Sequence, residues 1–262
     1  MKKVVIITGG SSGIGKAATE AFAGAEYVVY EFSRHEVEHV SGVNHVCCDV
    51  TVESEVEHAT HYVIDREGRV DVLVSNAGYG ISGAIEFTQL SDAKRQFDVN
   101  LFGAFNVVKA ILPFMRQQGG GRIIFVSSVA AVLSIPYQAF YSASKSAINS
   151  LCLALREEVR EFGITACALM PGDVSTGFTD ARNKSCEGSD VYKHLSGAVE
   201  AMEKDERSGM STTLLAHKLL SLAKKKNPAP LYTAGWQYKI FVMLESLLPK
   251  RFSNWVVGKL YN

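Results

Sequence analysis

The run Val4-Val5-Ile6-Ile7-Thr8-Gly9-Gly10-Ser11-Ser12-Gly13-Ile14-Gly15 stands near the start of this chain and decides how the rest is read. Four β-branched residues in a row suit a strand buried on both faces of a parallel sheet. The glycines after it permit a tight turn and let backbone N–H groups approach a pyrophosphate at the N-terminus of the next helix. An ordinary strand–turn–helix joint also favours glycine here. The spacing is G-x-x-x-G-x-G and not G-x-G-x-x-G, so the run alone leaves both readings open.

Outward from it, strand-like and helix-like stretches alternate. Strands are expected near 3–8, 27–32, 44–48, 71–75, 122–127, 164–169 and 229–232. Helices are expected near 14–24, 52–66, 88–118 with a break before Asn100, 138–162 and 212–226. Such alternation implies right-handed crossovers. The expected fold is therefore α/β: a doubly wound, mostly parallel, Rossmann-type sheet of about seven strands with helices on both faces. The stretch 35–43 leaves the usual crossover helix short or missing. With 47% hydrophobic residues in 262 and no linker or repeat, residues 1–262 read as one domain. Two regions stand apart. The stretch 175–210 is polar, charged and weakly patterned, with a helix only near its end, as a substrate lid would be. In 236–262, apolar residues spaced three and four apart, including Trp236, Ile240, Met243, Leu247 and Trp255, describe two amphipathic helices ending near Pro249 and Tyr261. That tail fits core or dimer packing, a cap over a pocket, or a surface resting on membrane.

Composition narrows the class. The 27 basic and 27 acidic residues balance, so no overall field favours nucleic acid. Five cysteines, at 47, 48, 152, 167 and 186, lack metal-ligand spacing and suit small apolar roles in a reducing compartment. No metal site is expected. Met1-Lys2-Lys3 precedes too short an apolar run for a secretory leader, and no run approaches the ~18 residues of a membrane span. The expectation is a soluble, cytoplasmic protein.

The second signature is Tyr141 and Lys145, in Ala139-Phe140-Tyr141-Ser142-Ala143-Ser144-Lys145. Four residues apart on a helix, a phenol and an ammonium share a face. A cation held near a phenol favours the phenolate, lowers its pKa and makes it usable for proton transfer. A core aromatic beside a solvated lysine is the plainer meaning of the same spacing.

Taken with Asn76-Ala77-Gly78 and Pro171-Gly172, these motifs resemble the short-chain dehydrogenase/reductase family, from about residue 3 to about residue 180. Every candidate position then falls after the carboxyl end of an expected strand, where open α/β sheets bind ligands. The resemblance implies a catalytic set of Asn100, Ser128, Tyr141 and Lys145. Ser128, thirteen residues before the tyrosine, is selected over Ser127 and would hydrogen-bond the substrate carbonyl. Lys145 would also contact the nicotinamide ribose, and Asn100 would support a proton path to the lysine. For the cofactor it implies Gly9, Ser11, Ser12, Gly13, Ile14 and Gly15 at the diphosphate, with Ser33 and Arg34 at a 2′-phosphate. Asp49 and Val50 would sit at the adenine, Asp49 serving equally as a helix cap. Asn76, Ala77 and Gly78 would lie at the ribose, and Pro171, Gly172, Val174 and Thr176 at the nicotinamide. Arg34 favours NADP(H) over NAD(H), because a guanidinium fork suits phosphate. Ser12 stands where some NADP-dependent relatives place a second basic residue, and Ser75 where the family more often has asparagine.

Ala130, Val132, Leu133, Ile135, Tyr137, Tyr79, Ile81, Val174 and Phe178 are the expected pocket residues, almost all apolar. The activity expected is therefore interconversion of a carbonyl and an alcohol on a hydrophobic substrate such as a steroid, retinoid or other lipid-like ketone. A 3-oxoacyl carrier-protein reductase and a non-catalytic dinucleotide-sensing protein are the alternatives. A homodimer or homotetramer is expected, with peripheral membrane contact by the tail as one of its readings.

Overall fold

The structure, a computed structural model, describes residues 2–38 and 40–261. The side chains of Leu260, counted above in the tail's stripe, and of Tyr261 lie outside the described residues. In chain order the elements are β1 (Val4–Thr8), α1 (Gly13–Gly24), β2 (Val28–Ser33), β3 (Val43–Cys47), α2 (Glu53–Glu67), β4 (Val72–Ser75) and β5 (Ile81–Ser82). Then come α3 (Leu90–Phe97), a π turn (Asp98–Phe102), α4 (Gly103–Gln117), β6 (Gly121–Val126), α5 (Ala139–Glu158) and β7 (Ile164–Pro171). The remainder is α6 (Phe178–Ala181), β8 (Asn183–Lys184), α7 (Leu195–Arg207), α8 (Thr212–Lys224), β9 (Leu231–Ala234), α9 (Trp236–Leu247) and α10 (Lys250–Tyr261).

Seven strands form one parallel sheet in the order β3-β2-β1-β4-β6-β7-β9. The order reverses between β1 and β4, which creates the crevice where such sheets bind ligands. The apolar run of β1 is buried along its length because it serves two cores. Val4 and Ile6 join Phe125, Ile111 and Cys152 on one face; Val5 and Ile7 join Phe22, Leu169 and Leu219 on the other. Burying an aliphatic or aromatic side chain of this size contributes roughly 1.5–3 kcal/mol, so the alternation along this one strand fixes the register of the whole centre. Cys48, Cys152 and Cys167 are buried in these cores as small apolar residues, while Cys47 and Cys186 are exposed.

Three expectations need correction. The segment 175–210 is not irregular: it holds α6, β8 and α7, and β8 pairs with β5 to form a second, two-stranded sheet. The break before Asn100 is a π turn that carries α3 into α4 without interruption. The resulting helix, Leu90–Gln117, is long and apolar enough by composition to span a membrane, with a mean hydropathy of 1.3 in its best window. No such stretch was expected, because its apolar residues are interleaved with polar ones. Val107, Val108, Ile111 and Met115 on it pack into the sheet, as a core helix does. The crossover between β2 and β3 has no helix among its described residues, as its length implied.

Candidate active site

A cleft of about 790 Å³ runs along the carboxyl edge of the sheet, from Arg34 and Asp49 past the glycine loop to Tyr141 and Phe178. Eighteen of the nineteen expected cofactor positions line it; Ser128 does too. Gly15 and Asn100 do not line it, and each supports a residue that does.

Gly9 turns the chain out of β1 with φ of +67°, a region that costs an L side chain energy, and its N–H donates to the Phe32 carbonyl at 2.8 Å. Gly15 lies under the loop, where a Cβ would stand 2.1 Å from the Gly9 carbonyl oxygen. The Asn76 amide closes the loop from the side, donating to the carbonyls of Thr8 (3.0 Å) and Gly9 (3.2 Å). The Thr8 hydroxyl accepts from the backbone N–H groups of Asn76 and Ala77. Ser75 is buried at the end of β4 and leaves this bracing intact. The loop is thus rigid and narrow. A Cβ on Gly13 would meet Thr176 at 3.6 Å, so glycine loop and lid start face each other across the cleft.

At the adenosine end, Arg34 is exposed on the cleft wall. Ser33 lines the same wall, but its hydroxyl is committed inward, to Glu31 Oε1 at 3.2 Å and the His35 carbonyl at 3.0 Å. Ser33 therefore offers a phosphate less than expected, and the guanidinium is the group facing it. Glu31 is fully buried and bonded by His45; Glu36 is exposed. Asp49 Oδ1 accepts from the N–H and hydroxyl of Thr51, and the Asp49 N–H donates to Glu55. This ties the end of β3 to the start of α2, and the adenine role is open beside it. Arg95 from α3 shares this end of the cleft, a residue that the sequence did not single out.

At the other end, α5 presents Tyr141 and Lys145 on one face. The Ser127 hydroxyl donates to the Lys145 carbonyl, Ser146 Oγ to the Ala131 carbonyl, and Ser144 Oγ to the Tyr141 carbonyl. The first two bonds fasten the helix to the loop that carries Ser128, and the third lies within α5. Ser128 Oγ accepts from the Ala130 N–H at 3.1 Å, and Ser128 and Tyr141 line the same cleft. Asn100 sits behind this pair, 2% exposed, with its amide held by both backbone groups of Tyr79 and by Ser144 Oγ. A Cβ on Gly78 would stand 3.0 Å from Asn100 Oδ1 and 3.6 Å from Lys145 Nζ, so glycine is what allows the three to converge.

The electrostatics differ from the expectation. Burial pushes the Tyr141 phenol up to about 12, against the Ser128 hydroxyl, which lowers it. Lys145 Nζ, also buried, is pulled down to about 8 by desolvation and donates to the Val126 carbonyl at 2.9 Å. Nζ lies 5.8 Å from the Tyr141 ring centroid. The ammonium spends its hydrogen bond on the Val126 carbonyl, and desolvation is the largest effect at both groups.

The lid is fastened over this end. Phe178 packs on Tyr141 with centroids 5.7 Å apart, and a Cβ on Gly80 would meet its ring at 2.9 Å. Arg182, 5% exposed, pairs with Glu206 of α7, which also accepts from Thr179 at 2.7 Å. Of the expected pocket residues, Ala130, Ile135, Tyr79, Val174 and Phe178 line the cleft, and Val132, Leu133, Tyr137 and Ile81 do not. Gln138, Asp173, Met202 and Glu206 line it unforeseen. Met202 and Glu206 come from a helix read only as charged and polar, and nothing local marks them. Among the described residues, none of the tail lines the cleft. The tail touches the site at one place: Tyr238 of α9 lies against Gly172, where a Cβ would meet its ring at 2.2–2.3 Å, and donates to Asp173 Oδ2 at 2.5 Å. Burial raises the Asp173 carboxyl, and this bond opposes the rise.

Comparison with known proteins agrees with this geometry. The family model described as short chain dehydrogenase matches residues 3–187. A 3-ketodihydrosphingosine reductase of Bacteroides thetaiotaomicron is 36% identical over 263 residues, covering 99% of this chain and 98% of that protein. Among solved structures, a short-chain dehydrogenase from Streptomyces avermitilis superposes with a TM-score of 0.87 at 27% identity, covering 100% of this chain and 99% of that one. A Burkholderia phymatum short-chain dehydrogenase/reductase in complex with NAD gives 0.81 at 26%, covering 93% and 92%.

Proposed function

This chain belongs to the short-chain dehydrogenase family, and we propose that it is an NADP(H)-dependent reductase of a long-chain, lipid-like ketone. It is an oxidoreductase that acts on alcohol and carbonyl groups. The observation that carries the finer reading is that Ser128 and Tyr141 line one end of a cleft whose other end is a glycine cradle and Arg34. The lipid character of the substrate rests on Ala130, Ile135, Val174, Phe178 and Met202 around that end, and on the name of the Bacteroides relative.

The residues fit a dinucleotide: a Cβ on Gly9 would meet the Ala77 backbone and one on Gly13 the Thr176 side chain, so glycine keeps that space open, and the cleft runs to Arg34 at one end and Lys145 at the other. Gly9, Ser11, Ser12, Gly13 and Ile14 would hold the diphosphate, and Arg34 the 2′-phosphate by charge-assisted hydrogen bonds. When bound, the nicotinamide supplies hydride to the carbonyl carbon or accepts it back. Ser128 and Tyr141 hold the carbonyl oxygen between two hydroxyls, where negative charge gathers. Tyr141 then donates its proton to that oxygen. A phenol held near 12 is fully protonated at neutral pH and ready for that donation. Lys145, near 8, is the stronger acid of the two, so its ammonium returns a proton to the tyrosinate downhill. Asn100 fixes the Tyr79 backbone and α5, and so the distance between these groups. Phe178 and the Arg182–Glu206 pair keep water from the reacting end.

The test is a panel of long-chain 3-ketones, steroids and retinoids followed by NADPH and NADH absorbance, with Tyr141→Phe beside the wild type. Turnover of a lipid ketone with NADPH is expected, and the variant should keep nucleotide binding but lose turnover by ~10²-fold or more, the scale of general acid catalysis. A variant that keeps a tenth of the activity, or a wild type that accepts only small polar carbonyls, refutes the reading.

A further inference from the structure

Helices α9 and α10 leave an apolar face turned away from the protein. At 100° per residue, the residues of α9 that face inward are Tyr238, Val242 and Glu245. The opposite side carries Trp236, Ile240, Met243, Leu244 and Leu247, exposed by 40% to 72%. A surface helix ordinarily shows the reverse, apolar inward and polar outward. On α10, Phe252 and Trp255 are likewise exposed and pack on each other at 5.9 Å. A contiguous patch of this kind on a folded chain marks an interaction site.

Charge identifies the partner. The whole chain is neutral, yet residues 236–262 hold four cations, Lys239, Lys250, Arg251 and Lys259, against a single carboxylate, Glu245. That carboxylate is 7% exposed and paired with Lys250. Within the tail, the charges left without a carboxylate partner are therefore all positive: Lys239, Arg251 and Lys259. Both tryptophans of the protein lie on it, and tryptophan prefers the boundary between acyl chains and headgroups. A second copy of this chain would bring the tail's net positive charge against itself, whereas an anionic bilayer would neutralise it.

We infer that α9 and α10 form an interfacial anchor that seats the enzyme on an anionic lipid bilayer. Its place in the fold gives the anchor a use. α10 packs on the lid helix α7, and Tyr238 holds the tail to Gly172 and Asp173 at the cleft. Seated this way, the seam between lid and tail opens toward the bilayer, so a lipid-like substrate reaches Tyr141 without crossing water. The anchor itself is independent of the proposed substrate, and it is read out without turnover.

The experiment mixes the full chain with phosphatidylcholine vesicles, with or without about a third phosphatidylglycerol, and follows co-sedimentation and tryptophan emission. Because the only tryptophans are Trp236 and Trp255, the emission reports on the tail alone. Binding to the anionic vesicles with a blue shift is expected, weakened when salt shortens the Debye length to ~3 Å. Trp236→Ser with Leu247→Ser, and separately Arg251→Glu with Lys259→Glu, should each lower partitioning by about tenfold or more. Both should keep the circular dichroism of the wild type and its turnover of a short, water-soluble ketone. No association with anionic vesicles, or equal association by both variants, overturns the inference. So does a dimer lost in the Trp236→Ser, Leu247→Ser variant whose emission is blue without lipid and unmoved by it. Failure to turn over any ketone would instead count against the proposed function and leave the vesicle result standing.

Discussion

Lys145→Met should make the nucleotide-free protein more stable at neutral pH while destroying its activity. The lysine is 6% exposed, and its ammonium has a carbonyl rather than a carboxylate as its hydrogen-bond acceptor. Its fall from 10.5 to about 8 corresponds to about 3 kcal/mol against the protonated form in the fold, at 1.36 kcal/mol per pH unit. The unfolded chain binds this proton up to pH 10.5; the folded chain releases it near 8. Between those values the unfolded state holds more protons, so the lysine's contribution to stability rises with pH; the penalty is complete below about 8 and gone above 10.5.

Methionine keeps the length and flexibility of the side chain and removes the charge, at the loss of the Val126 hydrogen bond, about 1 kcal/mol. The net gain at pH 7 is about 2 kcal/mol, or roughly 4–8 °C for a chain of this size. Urea unfolding of wild type and variant from pH 6 to 10.5 measures it. The variant's advantage should be flat to about pH 8, shrink as pH rises, and end as a small deficit. Cys48, Cys152 and Cys167 titrate in this range only in the unfolded chain, at the ordinary thiol value of 9.0, because burial raises them above it in the fold; they are common to both proteins and cancel in the difference. A variant no more stable than wild type at pH 7, or an advantage that grows with pH, would show that Lys145 is not the desolvated cation described here.

Arg34→Ile with Ser33→Asp should move preference from NADPH to NADH, losing one charge-assisted contact of about 1.5–3 kcal/mol, roughly ten- to a hundredfold in affinity; tighter binding of NADH by the wild type would end this idea. Gly172→Ala should destabilise the protein and free the tail, because its new Cβ would stand 2.2–2.3 Å from the Tyr238 ring. Tyr238→Ala on the same background should restore stability, and hydrogen exchange in 236–247 reads both effects; an additive pair of losses would refute the contact.

Some features are legible from local sequence because local geometry decides them. A β-branched run ending in Gly9 can hardly be anything but a buried strand entering a turn, and residues four apart on α5 must share a face. Asn100 was legible only through the company it keeps with the other motifs. Its work here is to hold Tyr79 and Ser144, and that depends on a π turn that no periodicity announces. The two-residue strands β5 and β8 exist only because Ile81 and Asn183 meet across a hundred residues of chain. Two residues show no period, so the strand in 175–210 stays unread until its partner is known. The tyrosine–lysine pair shows the same limit in electrostatics. Spacing reveals that a cation stands near a phenol but not how little water reaches either, and here the missing water sets the sign for both.

The tail shows most sharply what periodicity leaves unsaid. An amphipathic repeat states that a helix has two faces; which of them meets the protein is settled by what the rest of the chain offers. Here the offer is one polar seam: Asp173, raised by burial and bonded to Tyr238, beside the bare backbone of Gly172. Tyr238 fills the space that a side chain at 172 would occupy, and Glu245 turns inward beneath Lys250. Those two residues lie on the polar side of α9, so docking them turns Trp236, Ile240 and Leu247 outward. The cost of exposing that stripe is borne only if something apolar covers it, and the tail's net positive charge limits the covering to a surface of negative charge.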